Sequence, residues 1–174
     1  TDLYEQAQIM LKDIVENNRF DARAVFSLAP AKRTDADTVS IYDENQSVTH
    51  KFEHTRQQSD KVSKKPNFSL ADFIAPEETN LDDYLGGFTV SIFGAEEMAH
   101  EYKAKGDDYS AILAQSLGDR FAEAFAEHLH ERIRKEFWGY QAAEQLSNED
   151  LIKEKYIGIR PAPGYPACPE HSEK

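Results

Sequence analysis

The chain has 174 residues, of which 40% are hydrophobic and 11% aromatic, enough to form the core of one globular domain. Its 32 acidic and 20 basic side chains leave a formal net charge of −12, which argues against binding to nucleic acid or to an anionic membrane, because both attract clustered Lys and Arg. A single cysteine excludes an internal disulfide framework and indicates a reducing compartment. We find no secretory signal and no apolar run of membrane-spanning length, so we expect a cytoplasmic protein.

The first half of the chain predicts one helix followed by four or five strands. Residues 2–17 carry apolar side chains at helical spacing, which predicts the helix. We expect strands over residues 22–29, 37–43, 47–53 and 86–93. Pro30 is expected to end the first strand, and Asp-Glu-Asn between the next two is turn chemistry that predicts a hairpin. Short links between the strands favour a mostly antiparallel sheet.

The second half of the chain predicts helices. They are expected over residues 95–106, 109–137 and 146–156. Asp107 and Asp108 are placed to cap the long middle helix, and Ser147 with Asp150 resembles a capping box for the last one. The predicted fold class is therefore α+β, a mostly antiparallel sheet with one long helix and several shorter ones, and we expect residues 1–174 to form a single domain.

No pattern in the sequence predicts a catalytic residue or a metal site. His128 and His130 are two residues apart, so on a helix they point in different directions and cannot share a metal ion. Cys168 and His171 provide two ligands where a structural zinc ion needs four. Glycine-rich phosphate loops and the nucleophile motif of hydrolases are absent from the sequence.

The segment "RPAPGYP" (160–166) is the strongest candidate for a binding site. Its prolines fix φ and bias the preceding residues towards extended geometry, so Arg160, Ala162 and Tyr165 are expected to lie in a stiff extended strip. Gly164 lacks a Cβ and allows another group to approach its backbone. An arginine and a tyrosine suit a ligand with a carboxylate and an aromatic ring, but a rigid linker or a structural tail explains the same composition.

Several gap-free blocks resemble one family, the activation domain of cobalamin-dependent methionine synthase. The long blocks are "FAEAFAEHLHERIRKEFWGY" (121–140), "LSNEDLIKEKYIGIRPAPGYP" (146–166) and "RPAPGYPACPEHSEK" (160–174). Shorter blocks in the same order are "RQQ" (56–58), "LADFIAP" (70–76), "DYLGGF" (83–88) and "DDYSAIL" (107–113). The resemblance implies a curved α+β domain that binds S-adenosylmethionine (AdoMet) in a shallow groove. Because that domain begins earlier and continues further, the chain is expected to be an incomplete activation domain.

The resemblance also implies the binding residues. Arg160 would hold the methionyl carboxylate, and the backbone around Ala162, Gly164 and Tyr165 would line the adenosine. Glu123 and Glu154 match acidic positions that lie near the ligand in the family. On helical geometry alone, however, Glu123 lies opposite Phe121 and Phe125, where a solvated glutamate is expected.

The implied activity is part of a methyltransferase that makes methionine from homocysteine and 5-methyltetrahydrofolate. AdoMet and an electron from flavodoxin restore methylcobalamin on a neighbouring cobalamin-binding domain, and the chain alone is not expected to be active. The alternative is a docking module for flavodoxin or the cobalamin domain that does not bind AdoMet. Candidates for a basic docking patch are Arg132, Arg134 and Lys135, or Lys61, Lys64 and Lys65, although ordinary solvated faces are the preferred interpretation of these cations.

Overall fold

The structure is a computed structural model that describes residues 2–58, 60 and 66–169. The helices and strands are α1 Asp2–Glu16, β1 Asp21–Arg33, β2 Thr38–Tyr42, β3 Val48–Glu53, β4 Tyr84–Phe93, α2 Ala95–Ala104, α3 Asp108–Arg132 and α4 Asn148–Ile152. Short 3₁₀ helices occupy Leu70–Phe73 and Glu77–Thr79, and a π-helix, Ile133–Phe137, directly follows α3. The strands form a four-stranded sheet in the order β3-β2-β1-β4, in which β1–β2 and β2–β3 are antiparallel. The predicted α+β class is confirmed.

The chain divides into two compact units. The first unit contains Thr1–Phe26 and Phe88–Gln145, and the second contains Ser27–Gly87 and Leu146–Lys174. Strands β1 and β4 contribute residues to both units. Each unit has a hydrophobic cluster of its own, and that the whole chain is one domain stays a prediction.

The core of the first unit lies among α1, α2 and α3. Its buried members are Met10, Ile14, Met98, Ala99, Ala111, Leu113 and Ala114. Helices α2 and α3 pack closely because small residues meet between them: a Cβ added to Gly118 would lie 2.7 Å from the Cβ of Ala95. At the start of α3, Asp107 is the N-cap, since its carboxylate accepts a 2.9 Å hydrogen bond from the Ser110 N–H. This cap agrees with the prediction.

The predicted hairpin of β2 and β3 is confirmed in the second unit. Its turn forms because the Asp43 carboxylate accepts hydrogen bonds from the N–H groups of Asn45 (2.9 Å) and Ser47 (2.8 Å). The buried cluster of this unit consists of Ala31, Val39, Ala71 and Ile74. Arg56 links its loops, because the guanidinium contacts both Asp72 and Asp37.

Two predicted boundaries were wrong. Strand β1 does not end at Pro30 but continues to Arg33. The Ala31 N–H donates to the Asp83 carbonyl, so the Pro30 nitrogen points to the other side of the strand, where pairing with β2 begins only at Ala31. The last helix was predicted over 146–156, but α4 spans only five residues because the chain turns into a left-handed residue at Glu154.

Candidate functional site

Helix α4 is short and held at both ends by one carboxylate, that of Asp150. At the N-terminus, Asp150 Oδ2 accepts hydrogen bonds from the Ser147 N–H (3.2 Å) and from Ser147 Oγ (2.7 Å), while Ser147 Oγ accepts one from the Asp150 N–H. This is the capping box that the sequence predicts. Beyond the C-terminus, Lys155 Nζ donates to Asp150 Oδ1 at 2.6 Å. Lys155, followed by Ser147, lowers the pKa of Asp150 to about 2.

Glu154 ends α4 in a backbone conformation that favours glycine. Its φ is 53°, its N–H donates to the Leu151 carbonyl, and the Lys155 N–H donates to the Asp150 carbonyl. These two bonds define a Schellman motif, in which the left-handed position is usually glycine. The Glu154 side chain is exposed, and among the residues that the structure describes none forms an ion pair or hydrogen bond with its carboxylate. The predicted ligand residue therefore has an exposed carboxylate and a left-handed backbone conformation.

The segment after α4 is not the extended strip that the prolines predict. The Tyr165 N–H donates to the Ala162 carbonyl at 3.1 Å, and Gly164 has a φ of 94°. Proline followed by a glycine of positive φ, closed by this bond, is the arrangement of a type II β-turn. A second turn follows, because the Cys168 N–H donates to the Tyr165 carbonyl at 2.8 Å. The Pro-Gly pair is a turn signal that the interpretation as a stiff strip overlooked.

The paired turns, residues 162–168, close on themselves through the main chain. The Gly164 N–H donates to the Cys168 carbonyl at 2.8 Å, and Tyr165 and Cys168 form an isolated antiparallel bridge. The Cys168 side chain is buried, whereas Tyr165 is 64% exposed. Ala162 and Gly164 are exposed as well, and Arg160, just before the turns, is half-buried. The turns therefore present an aromatic ring and two small residues to solvent.

Five of the predicted binding residues, Glu154, Arg160, Ala162, Gly164 and Tyr165, lie in the second unit, and Glu123 lies in the first. Glu123 is on α3, and its exposed carboxylate forms an ion pair with Arg120 at 2.8 Å. This is the solvated helix glutamate that helical geometry predicts. Two surface depressions of the second unit, of about 400 and 240 Å³, are lined by none of these residues.

In the candidate basic patch at the end of α3, each cation is paired with a carboxylate. Arg134 is fully buried and donates from Nε and Nη2 to the Glu144 carboxylate, at 2.9 and 2.6 Å. Arg132 is paired with Glu136 at 2.8 Å and Lys135 with Glu131 at 3.3 Å. The second candidate patch, Lys61, Lys64 and Lys65, lies outside the described residues, as does His171.

The histidines of α3 diverge as predicted: His128 is exposed and His130 is buried. Among the residues that the structure describes, no group of three or more His, Cys, Asp or Glu side chains is arranged to hold a metal ion. Within the same residues, no helix is both long enough and apolar enough to span a bilayer.

The comparisons with known proteins decide the family. The family described as "Vitamin B12 dependent methionine synthase, activation domain" matches residues 1–174. The chain belongs to this family. A solved structure, the crystal structure of the MetH reactivation domain bound to AdoHcy, is similar to this activation domain with 46% identity and a TM-score of 0.88. The match covers 99% of this chain and 53% of that chain, so the sequence spans about half the length of the solved relative.

The structure adds two residues to the candidate site that sequence reasoning did not connect with Glu154. Asp150 and Lys155 flank it and contact each other across it. The capping-box pattern indicated Asp150 as part of a helix start, but no sequence signal showed that the same carboxylate reaches past the helix end. In the activation domain, these two residues accompany the predicted binding residues within the second unit.

Proposed function

We propose that this chain is the AdoMet-binding reactivation module of a cobalamin-dependent methionine synthase. The observation that carries the proposal is the solved relative: a reactivation domain that is 46% identical over nearly the whole chain is bound to AdoHcy. AdoHcy is AdoMet without the transferred methyl group, so a site for one offers contacts to the amino-acid and nucleoside parts of the other. The whole enzyme would be a methyltransferase of methionine biosynthesis.

The residues after α4 match the chemistry of AdoMet group by group. AdoMet carries a carboxylate, a positively charged sulfonium and an adenine ring. The Arg160 guanidinium suits the carboxylate, because it donates two parallel hydrogen bonds. The exposed ring of Tyr165 and the backbone of Ala162 and Gly164 suit the adenosine. The exposed carboxylate of Glu154 suits the sulfonium, because opposite charges attract more strongly where water is partly removed.

The role of this chain in the reaction is to hold and orient AdoMet. A cobalamin on a neighbouring domain, once reduced by a flavodoxin-type donor, would supply the nucleophilic metal, and AdoMet would supply the methyl group. Binding AdoMet by its amino-acid end and its nucleoside end leaves the methyl group between them exposed for transfer. Such placement accelerates a reaction through proximity and orientation, without an acid or base from this chain.

Docking without AdoMet has less support than AdoMet binding. An acidic flavodoxin would need a patch of unpaired cations on a chain whose net charge is −12. Each cation of the Arg132, Arg134 and Lys135 group is paired with a carboxylate instead. That Glu123 contacts AdoMet stays a prediction from the family resemblance, because its carboxylate already has a partner, Arg120, without a ligand.

Calorimetry with AdoMet tests the proposal on the full chain. Replacing a bidentate guanidinium removes charge-assisted hydrogen bonds, so Arg160→Ala should weaken binding by about ten-fold or more. Tyr165→Ala should weaken it through lost stacking on the adenine, by about 1–3 kcal/mol. Arg23→Ala and Tyr4→Ala are matched controls, because Arg23 is an exposed arginine and Tyr4 is 69% exposed. Equal binding by Arg160→Ala and Arg23→Ala would remove Arg160 from the site.

A further inference from the structure

Glu154 combines a left-handed backbone conformation with an exposed carboxylate. Its φ of 53° is disfavoured for any residue with a Cβ, and glycine would occupy the same position without strain. Its exposed carboxylate takes no hydrogen bond or ion pair from the described part of the chain. Strained residues persist where the surrounding structure holds them, often at binding sites. The exposed carboxylate of Glu154 is therefore accessible to a ligand.

The contacts that hold Glu154 in this conformation converge on Asp150. The Asp150 carbonyl accepts the Lys155 N–H at 3.1 Å, and its carboxylate accepts Lys155 Nζ at 2.6 Å. The same carboxylate accepts the hydrogen bonds of Ser147 at the start of the helix. Glu154 lies between Asp150 and Lys155 in sequence, so this ring of contacts fixes the backbone on both sides of it. Asp150 is only 29% exposed, whereas Lys155 is 55% exposed.

We propose that Asp150 is a positioning residue, which holds the residues 153–155 so that the Glu154 carboxylate is presented to the sulfonium end of AdoMet. The inference rests on the proposed function, because AdoMet is the ligand to which Glu154 is assigned. Asp150 itself does not touch the ligand. When the ion pair with Lys155 is absent, Glu154 samples other conformations, and the apparent affinity falls with the fraction of molecules that remain competent to bind.

The test is a double-mutant cycle on the full chain, with AdoMet binding measured by calorimetry. Asp150→Asn retains the size of the side chain but removes the charge that Lys155 contacts. It should weaken AdoMet binding by about three-fold, because the loss of an exposed ion pair has an effect of this size. Glu154→Ala should weaken binding by about ten-fold, because it removes the carboxylate itself. In the Glu154→Ala chain, Asp150→Asn should change the affinity by less than about 1.5-fold, since no carboxylate remains to be positioned.

The neighbouring acid supplies the matched control. Glu149→Gln changes the net charge by the same amount on the same helix and breaks an ion pair with Lys153, but Glu149 is 76% exposed and makes no contact across Glu154. It should leave AdoMet affinity unchanged. If Asp150→Asn does not fold, which circular dichroism reports, Lys155→Met breaks the same ion pair and leaves the capping box intact, and it should show the same coupling to Glu154.

The outcomes separate this inference from the proposed function. If the unmodified chain does not bind AdoMet, both are overturned. If it binds AdoMet but Glu154→Ala binds as tightly, or if Asp150→Asn has no effect, the positioning role is overturned and the proposed function stands. If Asp150→Asn weakens binding equally with and without the Glu154 carboxylate, Asp150 acts on the fold in general and the inference is again wrong.

Discussion

At the scale of single residues, Gly164 sets the backbone conformation of the proposed binding segment. Its φ of 94° places the Tyr165 N–H against the Ala162 carbonyl and turns the chain. The N–H and C=O groups that close the turn are satisfied internally, and the ring of Tyr165 is left exposed. Because proline fixes the position before it, the turn loses little conformational entropy when a ligand binds.

Gly164→Ala should therefore lower both stability and AdoMet affinity. A Cβ in the left-handed region costs about 1–2 kcal/mol. This cost either lowers the free energy of unfolding or is relieved when the turn opens, which changes the proposed binding segment. Gly87→Ala is the control: a Cβ there meets no atom within 4 Å, and φ is not in the left-handed region, so stability should stay the same or rise slightly. Urea unfolding and AdoMet calorimetry on both variants measure the difference. Equal stabilities would contradict the strained geometry of Gly164.

At the scale of elements, the end of α3 is fastened by a buried ionic network. Arg134 donates to Glu144 with two nitrogens, and its third, Nη1, lies 2.8 Å from His130 Nδ1. Because arginine can only donate, His130 Nδ1 must accept, which fixes the histidine as neutral with its proton on Nε2. The Gln141 N–H also donates to the Arg134 carbonyl. The network thus holds residues 138–144 against the π-helix.

Glu144→Gln should destabilise the protein by about 3–5 kcal/mol, because it leaves a buried guanidinium without its countercharge. The hydrogen bonds from Arg134, which outweigh the opposing effect of burial, hold the pKa of Glu144 below its usual value. The contribution of ionised Glu144 to the free energy of unfolding is therefore complete above its pKa in the unfolded chain, about 4.3. It is lost as the pH falls through the lower pKa of Glu144 in the folded chain. Urea midpoints between pH 7 and pH 3 should show a flatter acid dependence in Glu144→Gln.

The exposed ion pair of Glu136 with Arg132 provides the comparison for this network, since it lies on the same segment. Glu136→Gln should change stability at pH 7 far less than Glu144→Gln, because water solvates both partners when the pair is broken. A loss of equal size in the two variants would mean that burial does not set the strength of the Arg134–Glu144 pair.

At the scale of the whole molecule, periodicity predicted the elements but not the contacts that end them. The hairpin of β2 and β3 and the cap at Asp107 follow from local chemistry, so the sequence predicted them. The end of β1 was wrongly predicted at Pro30, because a proline interrupts a strand only where its nitrogen faces a paired neighbour. Arg134 is buried and paired because Glu144, ten residues later, folds back onto it, whereas Arg132 and Lys135 pair with carboxylates four residues away. The pairing of Arg134 with Glu144 leaves no periodic signal in the sequence.

Most of the candidate site came from the family resemblance, and the structure changed its physical description. Composition alone left Arg160 and Tyr165 as either a ligand site or a structural tail. The turn at Gly164 was hidden because the prolines also favour extended backbone, and local rules do not decide between the two. The left-handed conformation of Glu154 was likewise not predicted, because glycine is the usual signal for such a helix end and the sequence has a glutamate there.

AdoMet should stabilise the whole chain against heat by an amount that its affinity sets. A ligand at one hundred times its dissociation constant adds about 2.7 kcal/mol, which for a chain of this size raises the melting temperature by about 5–10 °C. Arg160→Ala should lose most of this shift at the same AdoMet concentration, whereas Arg23→Ala, at an exposed arginine, should keep it. Adenosine alone, which lacks the carboxylate, should give a smaller shift that is the same in the unmodified chain and in Arg160→Ala. A shift with AdoMet that survives Arg160→Ala in full would mean that the carboxylate is held elsewhere, because the guanidinium is the group assigned to it.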